Sequence, residues 1–197
     1  MTTHAIAWSI LWPALIAGLI VAASHVPLGV QVLRKGIVFI DLAIAQIAGF
    51  GVVAADAFGF ESGVMVQGSA LAAAILGAVV LTWTEKKFPD VQEAIIGVSF
   101  VLAATAALIL LSSNPHGAEH MKDILVGQIL WVNPSELWLQ GAISAIVLIV
   151  WIALGERISR VGFYVLFACA VTMSVQLIGI YLVFATLIIP ALATREF

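Results

Sequence analysis

Six long apolar stretches, almost free of charge, dominate this chain and leave it few folds to adopt. They cover residues 5–24, 36–55, 62–83, 94–114, 137–155 and 161–194. Crossing a hydrocarbon core takes about 20 residues of helix, and each stretch is about that long or longer. Asp41 is the one Asp, Glu, Lys or Arg inside them. The stretches are continuous and rich in Ala and Leu rather than alternating, so they read as helices and not as barrel strands. Composition closes off the soluble alternative. The chain is 63% hydrophobic and 10% charged, against about 25% charged in an ordinary soluble domain. A soluble fold of this size has too high a surface-to-volume ratio to hide so much apolar surface. The expected fold class is therefore all-α: a polytopic membrane helix bundle of about six spans, forming a single transmembrane domain over residues 1–197.

The last stretch is too long for a simple span. Its 34 residues would reach about 51 Å as a straight helix at about 1.5 Å per residue, against a hydrocarbon core about 30 Å thick. It is expected to bend or break, with Gly179 and Pro190 as the candidate sites. Orientation follows from the basic residues. Arg34, Lys35, Lys86, Lys87, Arg157 and Arg160 fall on one side of a six-span chain. The positive-inside rule makes that side cytoplasmic and puts the N-terminus outside. Loops 25–35, 84–93 and 156–160 are then cytoplasmic, and loop 113–136 faces out. Ala70, Ala74 and Ala78 repeat at every fourth position, a small-residue face that lets helix backbones approach.

Few residues can carry chemistry. A carboxylate at the centre of a span costs at least about 2.5 kcal/mol on insertion scales and usually faces a polar path or a partner. Asp41 is therefore the leading pathway residue, with Gln46 second. His116 and His120 are spaced to share a helical face, with Glu119 and Asp123 nearby. Imidazoles beside carboxylates suit a divalent metal, and a solvated polar loop explains the same residues. A single cysteine, Cys169, allows no internal disulfide. The chain has neither a phosphate-binding Gly-x-x-x-x-Gly-Lys-Ser/Thr loop nor a Gly-x-Ser-x-Gly elbow, so no motif supports an enzyme. It has no basic run to bind nucleic acid.

Four stretches carry a resemblance. Residues 32–49 read Val-Leu-Arg-Lys-Gly-Ile-Val-Phe-Ile-Asp-Leu-Ala-Ile-Ala-Gln-Ile-Ala-Gly, two basic residues and then a helix opening with Asp41. Residues 93–100 read Glu-Ala-Ile-Ile-Gly-Val-Ser-Phe, and residues 124–134 read Ile-Leu-Val-Gly-Gln-Ile-Leu-Trp-Val-Asn-Pro. Residues 175–195 join Gly179 through an apolar run to Pro190-Ala-Leu-Ala-Thr-Arg195. Together they resemble the zinc/manganese/iron-type permease family of bacterial metal ABC transporters, in the right order through nearly the whole chain.

The resemblance implies a permease subunit of an ABC importer that moves divalent metal cations, zinc or manganese, across the cytoplasmic (inner) membrane of a bacterium. The metal is then cargo and not a covalently bound cofactor. The implied partners are a separate ATPase, which would hydrolyse the ATP, an extracytoplasmic metal-binding protein, a second permease copy in a homodimer, and membrane lipid. Glu156, Arg157 and Arg160 would meet the ATPase. Two features depart from the family pattern. A histidine normally stands four residues after the helix-opening Asp, where this chain has Ala45. The coupling loop is normally longer than Gly155–Arg160. The sequence also stops just after Arg195, where family members continue, so a truncated or reduced chain is expected. The alternative is a non-ATP membrane carrier, or a structural membrane subunit, of the same fold.

Overall fold

The computed structural model describes residues 3–60, 63–112, 117–132 and 134–194. Among these it is all-helical, with α1 Thr3–Lys35, α2 Ile40–Ala57, α3 Gly63–Lys87, α4 Gln92–Leu111, α5 Gly117–Val126, α6 Pro134–Leu154 and α7 Arg160–Ala193. Short 3-10 turns cover Pro89–Val91, Ile129–Trp131 and Gly155–Arg157. Six helical segments are long and apolar enough to cross a membrane, and α5 is not one of them.

The first span is displaced from its expected place. Residues 25–35 are not a loop, and the apolar window runs Ile10–Lys35. Ser24 and His25 are buried inside the bundle. Ser24 Oγ donates to the Val21 carbonyl at 3.0 Å and lies 3.5 Å from Ser144 Oγ on α6. His25 Nδ1 donates to the same Val21 carbonyl at 2.9 Å. Partners inside the membrane let polar residues stay in a span. The helix stops at Gly36, whose φ is +69°. The Ile37 N–H reaches the Val32 carbonyl at 3.3 Å and the Gly36 N–H reaches that of Leu33 at 3.2 Å, a closure that needs a left-handed residue.

Close packing holds the bundle. Lipid tails are as apolar as the side chains, so helices associate in a bilayer by fitting together. A Cβ on Gly51 of α2 would lie 2.7 Å from the Ser69 carbonyl oxygen of α3 and 2.9 Å from Ala70 Cα. Ala70, Ala74 and Ala78 are fully buried along this seam. At one end of the bundle the basic residues gather. Glu85 lies 3.6 Å from Lys35 Nζ and 3.9 Å from Arg160 Nε, so the ends of α1 and α3 meet the start of α7.

The long last helix is two helices. Gly179, at φ 77° and ψ 164°, interrupts it. The part before Gly179 leaves the basic end, where Lys35 Nζ stands 5.4 Å from the centre of the Phe163 ring. It then reaches the part of α6 away from the basic end, where Gln140 Nε2 donates to Ser174 Oγ at 3.1 Å. The part after Gly179 comes back. Phe184 stacks on Phe39, beside the start of α2, with ring centres 6.4 Å apart. Gly29, near the end of α1, packs directly on the Leu187 backbone. Pro190 lies inside this returning helix, which continues to Ala193. The break is therefore at Gly179 and not at Pro190. Proline in a membrane helix is tolerated where neighbours satisfy the freed carbonyl.

The segment expected as an outward-facing loop folds back into the bundle. Helix α5 is ten residues long, and its Ile124 reaches the middle of α2, where a Cβ on Gly49 would lie 3.2 Å from Ile124 Cγ2. Beyond α5, Gly127 packs its backbone on Ile178 and Gly179. Both glycines have positive φ, 69° and 77°. A side chain on either would collide with the other's backbone. Non-helical backbone at membrane depth survives only when buried in protein or beside a polar cavity, and this pair is buried in that way.

Candidate functional site

Asp41 stands in the first turn of α2 at the basic end of the bundle. It is 1% exposed, and neither carboxylate oxygen has a hydrogen-bond partner among the described residues. The N–H groups of Asp41 and Leu42 lie near it without closing a bond of ordinary geometry, and the helix dipole favours negative charge there. Lys35, six residues before it, pairs with Glu85. A second carboxylate, Glu93, stands in the first turn of α4. Glu93 Oε1 accepts from the Phe39 N–H at 3.1 Å and so caps α2. Its Oε2 is buried without a partner. The starts of α2 and α4 thus each carry a carboxylate with a buried oxygen that has no hydrogen-bond partner among the described residues.

Gln46 is buried one turn further along α2. It lines a mostly apolar cavity of about 470 Å³ between α2, α4, α5 and the returning half of α7, with Tyr181 as the other polar group. Asp41 is not in its lining, so Asp41 and Gln46 do not share one chamber. Ala45, between them, is fully buried in the apolar core and offers no ligand.

A second cavity, of about 430 Å³, lies toward the end opposite the basic one, under the re-entrant segment. Asp123, Gln128, Thr172 and Gln176 supply its polar lining, and Gly127 forms part of its wall. Among the described residues no three His, Cys, Asp or Glu side chains come together as a ready metal site. His116 and the side chain of His120 lie outside the described residues, and so does the side chain of Glu156. Arg157 is exposed in the turn Gly155–Arg157, and Arg160 is half exposed while it reaches Glu85. The basic end therefore presents a short, cationic surface.

Comparison with known proteins bears on this geometry. The ABC 3 transport family matches residues 7–159 and 152–197. The chain belongs to the ABC 3 transport family. A "probable metal transport system membrane protein" of Chlamydia trachomatis is 26% identical over 68% of this chain and 47% of its own length. An uncharacterized membrane protein of Synechocystis is 22% identical over 98% of this chain and 74% of that protein. The chain thus spans about half the length of the chlamydial relative. Among solved structures, PsaBC from Streptococcus pneumoniae in complex with Fab superposes with a TM-score of 0.67 at 21% identity, over 91% of this chain and 70% of that one. That likeness is one of fold. In this ABC 3 family chain the sequence singled out Asp41, Gln46 and Gly179. It missed the contact of Glu93 with the start of α2, although Glu93 opens one of the motifs. It also missed Thr172, a hydroxyl with no spacing signal in an unbroken apolar run.

Proposed function

We propose that this chain is a permease subunit of an ABC importer that carries divalent metal cations, of the zinc or manganese class, across the cytoplasmic membrane of a bacterium. The family match over the length of the chain carries this reading. The buried, unpaired carboxylate of Asp41 supports it, because a charge inside a span is costly unless it works. Asp41 with Glu93 forms the inner end of the path, and Gln46 stands above it. Gly179 and Gly127 shape the broken backbone beside it. ATP hydrolysis belongs to a separate ATPase that meets Glu156, Arg157 and Arg160. An extracytoplasmic binding protein delivers the metal, and two permease copies embedded in lipid complete the path.

The reading is tested by uptake of trace-labelled zinc and manganese in a strain lacking the gene, grown with chelator. Uptake is expected to fall and to return when the protein is supplied together with its ATPase. Unchanged uptake in the deletion strain, with no second transporter present, would remove it. The turn Gly155–Arg157 is short for an ATPase contact, and this favours one rival, a carrier that works without ATP. That rival expects uptake to survive loss of the ATPase.

A further inference from the structure

The corner where α3 gives way to α4 carries chemistry that the transport reading leaves unused. Trp83 and Lys87 are four residues apart on α3 and share a helical face. Lys87 Nζ lies 5.0 Å from the centre of the Trp83 ring and 5.4 Å from that of Phe88. The two rings meet edge to face, with centres 6.4 Å apart. Both rings are exposed, and so are Lys86 and Lys87. The same face continues back along α3 through Val80 and Leu76, which are exposed too. It therefore runs from apolar side chains through an indole to an ammonium. Lys35 and Arg160, at the same end of the bundle, share Glu85. Neither Lys86 nor Lys87 lies in an ion pair among the described residues. Asp90 is exposed in the turn Pro89–Val91 that follows, and the two lysines leave the corner net positive.

We infer that this corner binds a phospholipid of net negative charge from the leaflet at the basic end. Tryptophan sits at headgroup level in membranes, so a cation held over Trp83 stands beside the lipid phosphates. A lysine side chain is flexible and loses freedom when it closes on a ligand. Two rings already hold Lys87, and a cation over a ring keeps N–H donors that point outward. Lys86 adds a second charge. An acyl chain then lies along Leu76 and Val80, and its phosphate reaches Lys86 and Lys87. A zwitterionic lipid fits less well, because its own ammonium competes for that phosphate. An anionic surface attracts each nearby lysine by a factor of about five. This binding requires a bilayer and no transport, so it stands apart from the proposed function.

The test counts lipids retained on the purified full chain by native mass spectrometry, in micelles doped with phosphatidylglycerol or with phosphatidylcholine of the same acyl chains. Phosphatidylglycerol should be retained more strongly, by about tenfold or more. Lys86→Gln and Lys87→Gln should each cut that preference about fivefold, and the two together should remove it. Trp83→Leu removes no charge but frees Lys87, and should cut the preference about twofold or more. Lys122→Gln, at the opposite end, should leave it unchanged. All four side chains are exposed, so thermal melts should stay close to that of the native chain. Equal retention of the two lipids by the native chain would overturn the inference. A preference that survives loss of both lysines would do the same, and if that variant no longer bound its ATPase, the lysines would dock a protein and not a lipid. Full preference in Trp83→Leu, or an equal loss in Lys122→Gln, would leave only general surface charge and no built site. Displacement of phosphatidylglycerol by glycerol 1-phosphate would make the corner a site for free phosphate.

Discussion

The two ends of the bundle are built differently. At the basic end, α1 and the returning half of α7 touch through glycine and alanine. Gly29 lies on the Leu187 backbone, Phe39 stacks on Phe184 and Lys35 and Arg160 close on Glu85. At the opposite end, a short re-entrant helix meets a helix break through two glycines, and cavities of about 430 and 280 Å³ lie around them. The basic end carries the Asp41 and Glu93 carboxylates with buried oxygens, and the cavity above them, walled by Leu42 and Phe184, is mostly apolar. The other end is hollow, its cavities lined by amide side chains and the Asp123 carboxylate. The transport proposed above would need such a contrast: one part that holds its shape and another that rearranges at little cost.

The largest effect is expected where the hollow end is pinned. Valine at Gly127 or Gly179 must adopt a positive φ, which costs about 1–3 kcal/mol, and must also overlap backbone. Loss of the monodisperse folded protein on size exclusion, or at least a fall in thermal stability of about 3 kcal/mol, is expected. A normal melt for Gly179→Val would mean that the contact is not the pin described here. Asp41→Asn sharpens the contrast at the basic end. It keeps the shape and removes a buried charge, so the melt should hold or rise while uptake falls about tenfold or more, the loss of a charge-assisted ligand being worth about 1.5–3 kcal/mol. Unchanged uptake would reduce Asp41 to a helix-start residue favoured by the dipole. Arg160→Gln should do least. Arg160 is half exposed and 3.9 Å from Glu85, and exposed pairs contribute about 0–1 kcal/mol. A shift in the melt well beyond that range would show that the basic end depends on this pair more than its geometry implies.

The parts of this architecture that were legible in the sequence are those set by composition and local chemistry. Uninterrupted apolar runs mark the spans, and the excess length of the last run demands a break. The spacing of Ala70, Ala74 and Ala78 marks a packed face. What escaped depends on contacts between distant residues. Ser24 and His25 look like the end of a span until Ser144, on another helix, is placed beside Ser24. Glu119, Lys122 and Asp123 make residues 117–126 look like a solvated loop, and ten residues are too few for a hydropathy signal to register a re-entrant helix. The reversal at Gly179 leaves no polar turn in the sequence, because the Gly127 backbone covers it instead of water. Pro190 looked as good a breaker as Gly179, yet only Gly179 takes a conformation that other residues avoid. The candidate site was half legible. A charge in a span announces itself, but the hydroxyl of Thr172 and the capping role of Glu93 appear only once helices are side by side.

The return of the chain after Gly179 organises both ends, and it can be read directly. In a Cys169→Ala background, single cysteines at Thr194, at Ser159 and at Phe58 can be challenged in intact cells with a membrane-impermeant maleimide. Phe58 lies at the outer end of α2 and Ser159 at the basic end. Phe58→Cys should be labelled from outside, and Thr194→Cys should be protected together with Ser159→Cys until the cells are opened. Labelling of Thr194→Cys from outside, with Ser159→Cys protected, would mean that the last helix runs straight through and would contradict the fold described here.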